Sequence, residues 1–182
     1  MDGVGKSTVA RTLAEGLRSS GRSVEVVHHP NRDTRLGRMS VRFLLKRGRL
    51  AMAVASGTYF LDLLFSLTRM KLHKKRFDDR VFVRYTMSVC YLSDRMYMRM
   101  FRLLRFFLPE QDVRILVDAD ADTAMGRIGG RGEELEMFEN PEKLSRVRDN
   151  MLSVAEADGW RVFSNTGTQD DIGEFVHSFL SE

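Results

Sequence analysis

Met1-Asp2-Gly3-Val4-Gly5-Lys6-Ser7-Thr8 constrains this chain more than any other stretch. Gly5-Lys6-Ser7 closes the pattern G-x-x-x-x-G-K-[ST], a loop that wraps a polyphosphate in backbone N–H groups. In such a loop the lysine reaches the terminal phosphates, and the hydroxyl residue ligates Mg²⁺. Glycine is needed there because a Cβ would block left-handed backbone angles and the close approach of an anion. Thr8 to Leu17 reads as a helix with Val9, Leu13 and Leu17 on one stripe, its N-terminal dipole facing the same anion. Gly-Lys-Ser alone also fits an ordinary turn before a helix, and Asp2-Gly3 ahead of it favours the phosphate loop. The pattern's first glycine would fall one place before Met1, and the strand expected ahead of the loop is absent. The expectation is a chain that starts late.

The 182 residues suit one domain, 1–182, with a single substantial core. A content of 43% hydrophobic and 30% charged residues is the balance of a soluble globular protein, and no repeat, low-complexity tract or linker interrupts it. The longest uncharged run, Leu50 to Leu61, reads as too short to cross a bilayer, and no secretory signal is visible. A cytoplasmic protein is expected. The single cysteine, Cys90, excludes an internal disulfide and reads as a small buried hydrophobe. A net charge of +4 suits an anionic ligand, but nucleic acid or an acidic membrane would suit it equally.

Beyond Gly21, which stops the first helix, Ser23 to Val27 reads as a strand. His28 to Gly37 follows as a polar loop past the carboxyl end of that strand, where α/β proteins place function. Surface imidazoles are expected for His28 and His29, since no third metal ligand stands at a helpful spacing. Arg32 and Arg35 are candidates to clamp a phosphate, or are solvated loop charge. Helices are expected over Met39–Lys46 and Ser56–Lys75, with Leu61, Leu64, Phe65, Thr68 and Leu72 on one side of the second. Phe65 and Arg69 lie one turn apart and suit stacking on a base and bonding its edge, though Phe65 alone suits the core as well.

Asp79 to Val83 reads as the next strand, and Tyr91 to Leu108 as a basic helix with one buried face; such a pattern also occurs in membrane-surface or partner helices. Val113–Val117 is a buried-type strand, with Asp122 read as the N-cap of a helix through Ile128. Gly129 to Glu136 is a flexible basic flap or a simple surface loop, with Arg127 and Arg131 on or beside it. A helix from Asn140-Pro141 to Ala157, a strand Trp160–Phe163 and a helix Asp170–Leu180 close the chain. Strand and helix in alternation imply an α/β fold, a three-layer parallel sheet flanked by helices.

These residues resemble the thymidylate kinases, a P-loop kinase family, through an ordered set of short motifs along nearly the whole chain. Asp2-Gly3-x-Gly5-Lys6-Ser7-Thr8 matches the family's D-G-x-G-K-S-T, and Pro30-x-Arg32-x-Thr34-x-x-Gly37 its P-x-R-x-T-x-x-G. Leu64-Phe65-Ser66-x-x-Arg69 matches L-F-S-x-x-R, and Arg84-Tyr85-x-x-Ser88 the tail of D-R-Y-x-x-S, with Val83 in place of the aspartate. Arg131 and Phe138-Glu139 lie where the lid falls, and Ser164-Asn165-Thr166 where the family holds adenine.

The resemblance implies a P-loop NTPase-type fold, its first strand missing here and its lid at about 127–138. It implies ATP and Mg²⁺, with transfer of a phosphoryl group to dTMP. Gly3, Gly5, Lys6, Ser7, Thr8 and Asn165 would hold ATP, and Ser7 the metal. Arg32 and Arg84 would hold the acceptor's phosphate, Asp2 the sugar 3′-hydroxyl, Phe65 and Arg69 the base, with Ser88 nearby. Arg131, then Arg127, would supply the transition-state cation. Expected partners are small-molecule nucleotides, with neither nucleic acid nor membrane, and a homodimer is left open. The alternative is a catalytically weak or inactive nucleotide- or partner-binding protein derived from the same family.

Overall fold

A computed structural model describes residues 1–46, 48–72, 76–130, 141–165, 167 and 169–181. The elements are α1 (Lys6–Ser19), β1 (Val24–His28), α2 (Arg35–Leu44), α3 (Arg49–Leu72) and β2 (Asp79–Val83). A 3₁₀ helix (Thr86–Tyr91), α4 (Tyr97–Phe107), β3 (Ile115–Asp118), α5 (Ala121–Gly129), α6 (Pro141–Asp158), β4 (Arg161–Ser164) and α7 (Gln169–Leu180) follow. The class is α/β, with parallel sheets flanked by helices. Among the described residues β1 pairs with β2 and β3 with β4, each pair parallel. Parallel neighbours require long crossovers, supplied by α2–α3 in the first pair and α5–α6 in the second. The chain clusters into two compact units, each holding one sheet.

One unit runs from Ser7 to Tyr85 and takes in 176–181. Here α2 begins at Arg35 instead of Met39, because Thr34 accepts the Gly37 N–H at 2.9 Å and caps the helix early. Arg35 is therefore a helical residue and not part of the loop. α3 starts at Arg49, seven places before the expected Ser56, directly after Gly48 at φ +123°. Its first turns are apolar on every side, so no period marks the start. The stripe read from the sequence does share a side, but that side faces outward: Leu61 is 51%, Phe65 54% and Leu72 78% exposed. Ala51, Ala55, Thr58, Asp62, Leu63 and Leu67 face inward instead. The Leu50–Met70 stretch, with mean hydropathy 1.6, is long and apolar enough to cross a bilayer by length and composition. The uncharged run ending at Leu61 concealed this. Asp62, at the middle of the stretch, is fully buried and hydrogen-bonded, as in the core helix of a globular domain.

The other unit holds Met1–Lys6, 86–130 and 141–175. α6 contributes Leu144, Val147, Met151, Val154 and Ala155, a 3.6-period stripe, all buried. Phe101, Leu104 and Leu108 are buried with them, and so is Cys90, whose thiol burial pushes up to about 12. The reading of Cys90 as a small core hydrophobe holds. The basic helix is shorter than its pattern: the Ser93 carbonyl takes the Met96 and Tyr97 N–H groups in a turn, and α4 starts at Tyr97 rather than Tyr91. One face of α4 is buried as expected, with Arg99 and Arg102 exposed. Asp120, not Asp122, caps α5, accepting the Thr123 N–H and hydroxyl, each at 2.7 Å. Either aspartate suits a cap by composition, and Asp122 lies within the first turn.

Candidate active site

In the unit that holds the chain's opening residues, Gly3 and Gly5 stand at φ +76° and +89°. Alternating left-handed glycines turn successive N–H groups into an anion-binding nest. Neighbouring backbone packs so closely that a Cβ on Gly3 would lie 2.3 Å from the Ala124 carbonyl oxygen. Asn165 fixes the loop from another side: its Nδ2 donates to the Val4 carbonyl at 2.8 Å, while its own N–H donates to Asp118 at 2.7 Å. Arg127 donates to the Asn165 carbonyl at 3.2 Å. Asp118 is itself held by both arms of the Arg148 guanidinium, at 2.8 and 2.7 Å.

Lys6 opens α1 with Nζ donating to the Met1 carbonyl and 3.4 Å from Asp2. The other carboxylate oxygen of the buried Asp2 accepts from the Tyr91 hydroxyl at 3.0 Å. Ser7 is exposed at the start of α1, Thr8 is half-buried, and Ser88 lies half-buried in the 3₁₀ helix. Asp2, Gly3, Gly5 and Lys6 thus lie on one loop, with Asn165 bonded to it and Arg127 bonded to Asn165. Arg131, Phe138, Glu139, Asn140 and Thr166 lie outside the described residues.

The second unit carries the remaining candidates. Arg32 is exposed between β1 and α2. The loop around it is tied to Asp62, which accepts from the Asn31 N–H at 2.8 Å and the Thr34 hydroxyl, with His29 Nδ1 at 3.3 Å. His29 is 2% exposed, which corrects the expectation of a surface imidazole: local sequence cannot show a carboxylate that arrives from α3. Arg84 holds a left-handed backbone, φ +62°, directly after the buried Val83. The Tyr59 hydroxyl donates to the Arg84 carbonyl. Phe65 and Arg69 are both exposed, one turn apart on α3, which removes the core reading of Phe65. Among the described residues no cluster of three metal-ligating side chains occurs.

Burial holds the His29 imidazole below its ordinary pKa, with the Asp62 bond and charge opposing only in part, and burial acts the same way on His28. The unfolded chain then takes up protons first as the pH falls. Stability from these groups is complete above about pH 6.5 and declines on acidification below it. The depressed carboxyls of Asp78, Asp120 and Asp158 act only at lower pH, below the ordinary 3.8. The melting temperature should therefore fall between about pH 7 and about pH 5, and His29→Phe should flatten part of that slope. A flat profile in the native chain would refute the assignment.

The family model for thymidylate kinase matches residues 1–177. The chain belongs to the thymidylate kinase family. It is 32% identical over 163 residues to a probable thymidylate kinase of Methanothermobacter thermautotrophicus, covering 88% of this chain and 80% of that one. The thymidylate kinase of Ruegeria pomeroyi is 30% identical over 202 residues, covering 100% and 93%. The solved thymidylate kinase of Candida albicans superposes with a TM-score of 0.75 at 17% identity, over 100% of this chain and 88% of that one, which confirms the fold. Family membership makes the chain a kinase.

For this thymidylate kinase family member, sequence reasoning missed Tyr59, Asp62, Arg148 and the inward role of Asn165. Asp62 did carry a signal, since a lone carboxylate amid apolar helix residues must find buried donors or face water. Tyr59 carried none.

Proposed function

We propose that the chain transfers the γ-phosphoryl group of ATP to dTMP, releasing ADP and dTDP. The observation that carries this reading is the Gly3–Gly5 loop with its left-handed glycines and Lys6 at the head of α1. Such a P-loop supplies amides and a cation to a triphosphate and little covalent chemistry of its own. Gly3, Gly5, Lys6 and Thr8 grip the phosphates, and Asn165 stands at the adenine. Asp2 receives the sugar 3′-hydroxyl. Arg32 and Arg84 hold the acceptor phosphate so that its oxygen attacks the γ-phosphorus as the bond to the β-bridging oxygen breaks. Phe65 stacks on thymine, Arg69 bonds its edge, and Ser88 lines the acceptor side. The cation for the migrating charge is Arg131 first and Arg127 second, on a lid at about 127–138. All 182 residues act as one cytoplasmic nucleotide kinase domain, whose partners are small nucleotides.

Mg²⁺ fits through Ser7, an exposed hydroxyl at the first turn of α1. This ion accepts a small protein share because water and phosphate oxygens fill most of its shell. Ser7 would help to hold the ion, which would supply positive charge against the charge developing on the transferred group. The Val83 side chain offers no oxygen from β2, so among the described residues Ser7 would be the protein's ligand.

A panel of nucleoside monophosphates assayed for ADP release should give dTMP the highest kcat/KM. Base–aromatic stacking is worth about 1–3 kcal/mol, so Phe65→Ala should raise the KM for dTMP ~5- to 150-fold and leave that for ATP unchanged. No ADP release with dTMP, or a larger loss on ATP than on dTMP, would overturn this reading.

A further inference from the structure

We infer that Tyr59 and Asp62, one turn apart on α3, are positioning residues that set the backbones of the two acceptor-phosphate arginines. The inference rests on the assignment of Arg32 and Arg84 made above. Residues three apart in a helix share a face, so one face reaches two separate segments. Asp62 is wholly buried, and among the described residues its partners come from residues 29–34: it accepts from the Asn31 N–H at 2.8 Å and the Thr34 hydroxyl, with His29 Nδ1 at 3.3 Å. Arg32 lies between two of those anchors. Arg38 closes the same turn from α2, donating to the Arg32 carbonyl at 3.2 Å and the Asp33 carbonyl at 3.0 Å.

Tyr59 acts on the other arginine. Its hydroxyl donates to the carbonyl of Arg84 and lies 3.2 Å from that of Tyr85. A left-handed φ of +62° is strained for an arginine and persists only where surrounding contacts fix it. His29 joins the two anchors: its N–H donates to the Val83 carbonyl at 3.1 Å, and its ring lies 6.3 Å from both Tyr59 and Phe82. The arginine-bearing segments are therefore laced together through buried groups. A helix that only filled a core would be served by apolar residues at both positions, since an ionised carboxylate is costly to bury without a full set of donors.

The test compares binding of dTMP with binding of thymidine, which lacks the phosphate, in calorimetric titrations of the native chain, Tyr59→Phe and Asp62→Ala. If these residues set the arginines, both variants should lose about tenfold or more in dTMP affinity and keep their thymidine affinity. The KM for dTMP should rise with that for ATP unchanged. Asp62→Ala leaves buried donors unpaired, so thermal melts accompany it; Tyr59→Phe removes only one hydroxyl and decides the matter if Asp62→Ala unfolds. Variants that match the native chain, or that weaken dTMP and thymidine by the same factor, overturn the inference while leaving the acceptor site in place. A native chain that binds dTMP no better than thymidine overturns the acceptor-phosphate reading itself, and the inference with it.

Discussion

Lys6→Ala should stop ATP-dependent phosphorylation while the chain stays folded. A single preorganised donor aimed at developing charge is worth about 10²–10³ in rate, and a transition-state cation in phosphoryl transfer about 10³–10⁵. A loss of at least ~10³ in kcat is therefore expected. The lysine's contacts with the Met1 carbonyl and with Asp2, the latter at 3.4 Å, lie at the head of α1 and not in the core stripes, so the fold should hold. At 3.4 Å the contact with Asp2 is long, and the buried Asp2 keeps the Tyr91 hydroxyl as a donor. ADP release under saturating nucleotides, read beside a thermal melt, separates the two effects. Turnover close to native in the alanine variant would remove Lys6 from the chemistry.

Gly3→Ala should cost both stability and donor binding. The added Cβ would lie 2.3 Å from the backbone oxygen of Ala124, and backbone cannot swing aside as a long side chain does. Left-handed φ adds a cost of about 1–2 kcal/mol for any residue with a Cβ. Together they should exceed ~2 kcal/mol, a melting temperature lower by about 4–8 °C in a chain of this size. Gly126→Ala is the matching control: this glycine sits within α5 with nothing within 4 Å of a Cβ, and alanine there should be neutral or stabilising. If both variants melt alike, close packing against the loop is not what requires glycine at position 3.

What could be read from the chain followed the range of the interactions involved. β2 appears at Asp79–Val83, the bounds read from the sequence, and Gly21 and Gly159 follow their helices with φ of +81° and +66°. These are local effects, settled by a residue and its neighbours. The need for glycine at positions 3 and 5 was legible for the same reason, both standing at positive φ. α3 was harder. Its side containing Leu61, Leu64 and Phe65 was recognisable as one side, but a helix apolar nearly all round does not declare which side faces in. The decision falls to Asp62, whose contact with His29 spans 33 residues. The surface placement expected for His29 failed on the same pair. Tyr59 gave no forewarning, because its partner is a main-chain carbonyl 25 positions away.

The carboxamide of Asn165 has one further consequence. Because it donates to the Val4 carbonyl while its backbone N–H is fastened to the Asp118 carbonyl, the segment after β4 is tied to the Gly3–Gly5 loop. If adenine binds beside that segment, as proposed above, its binding would reach the loop through this bond. Swapping the donor's heterocycle should thus register in the speed of turnover, and not in affinity alone.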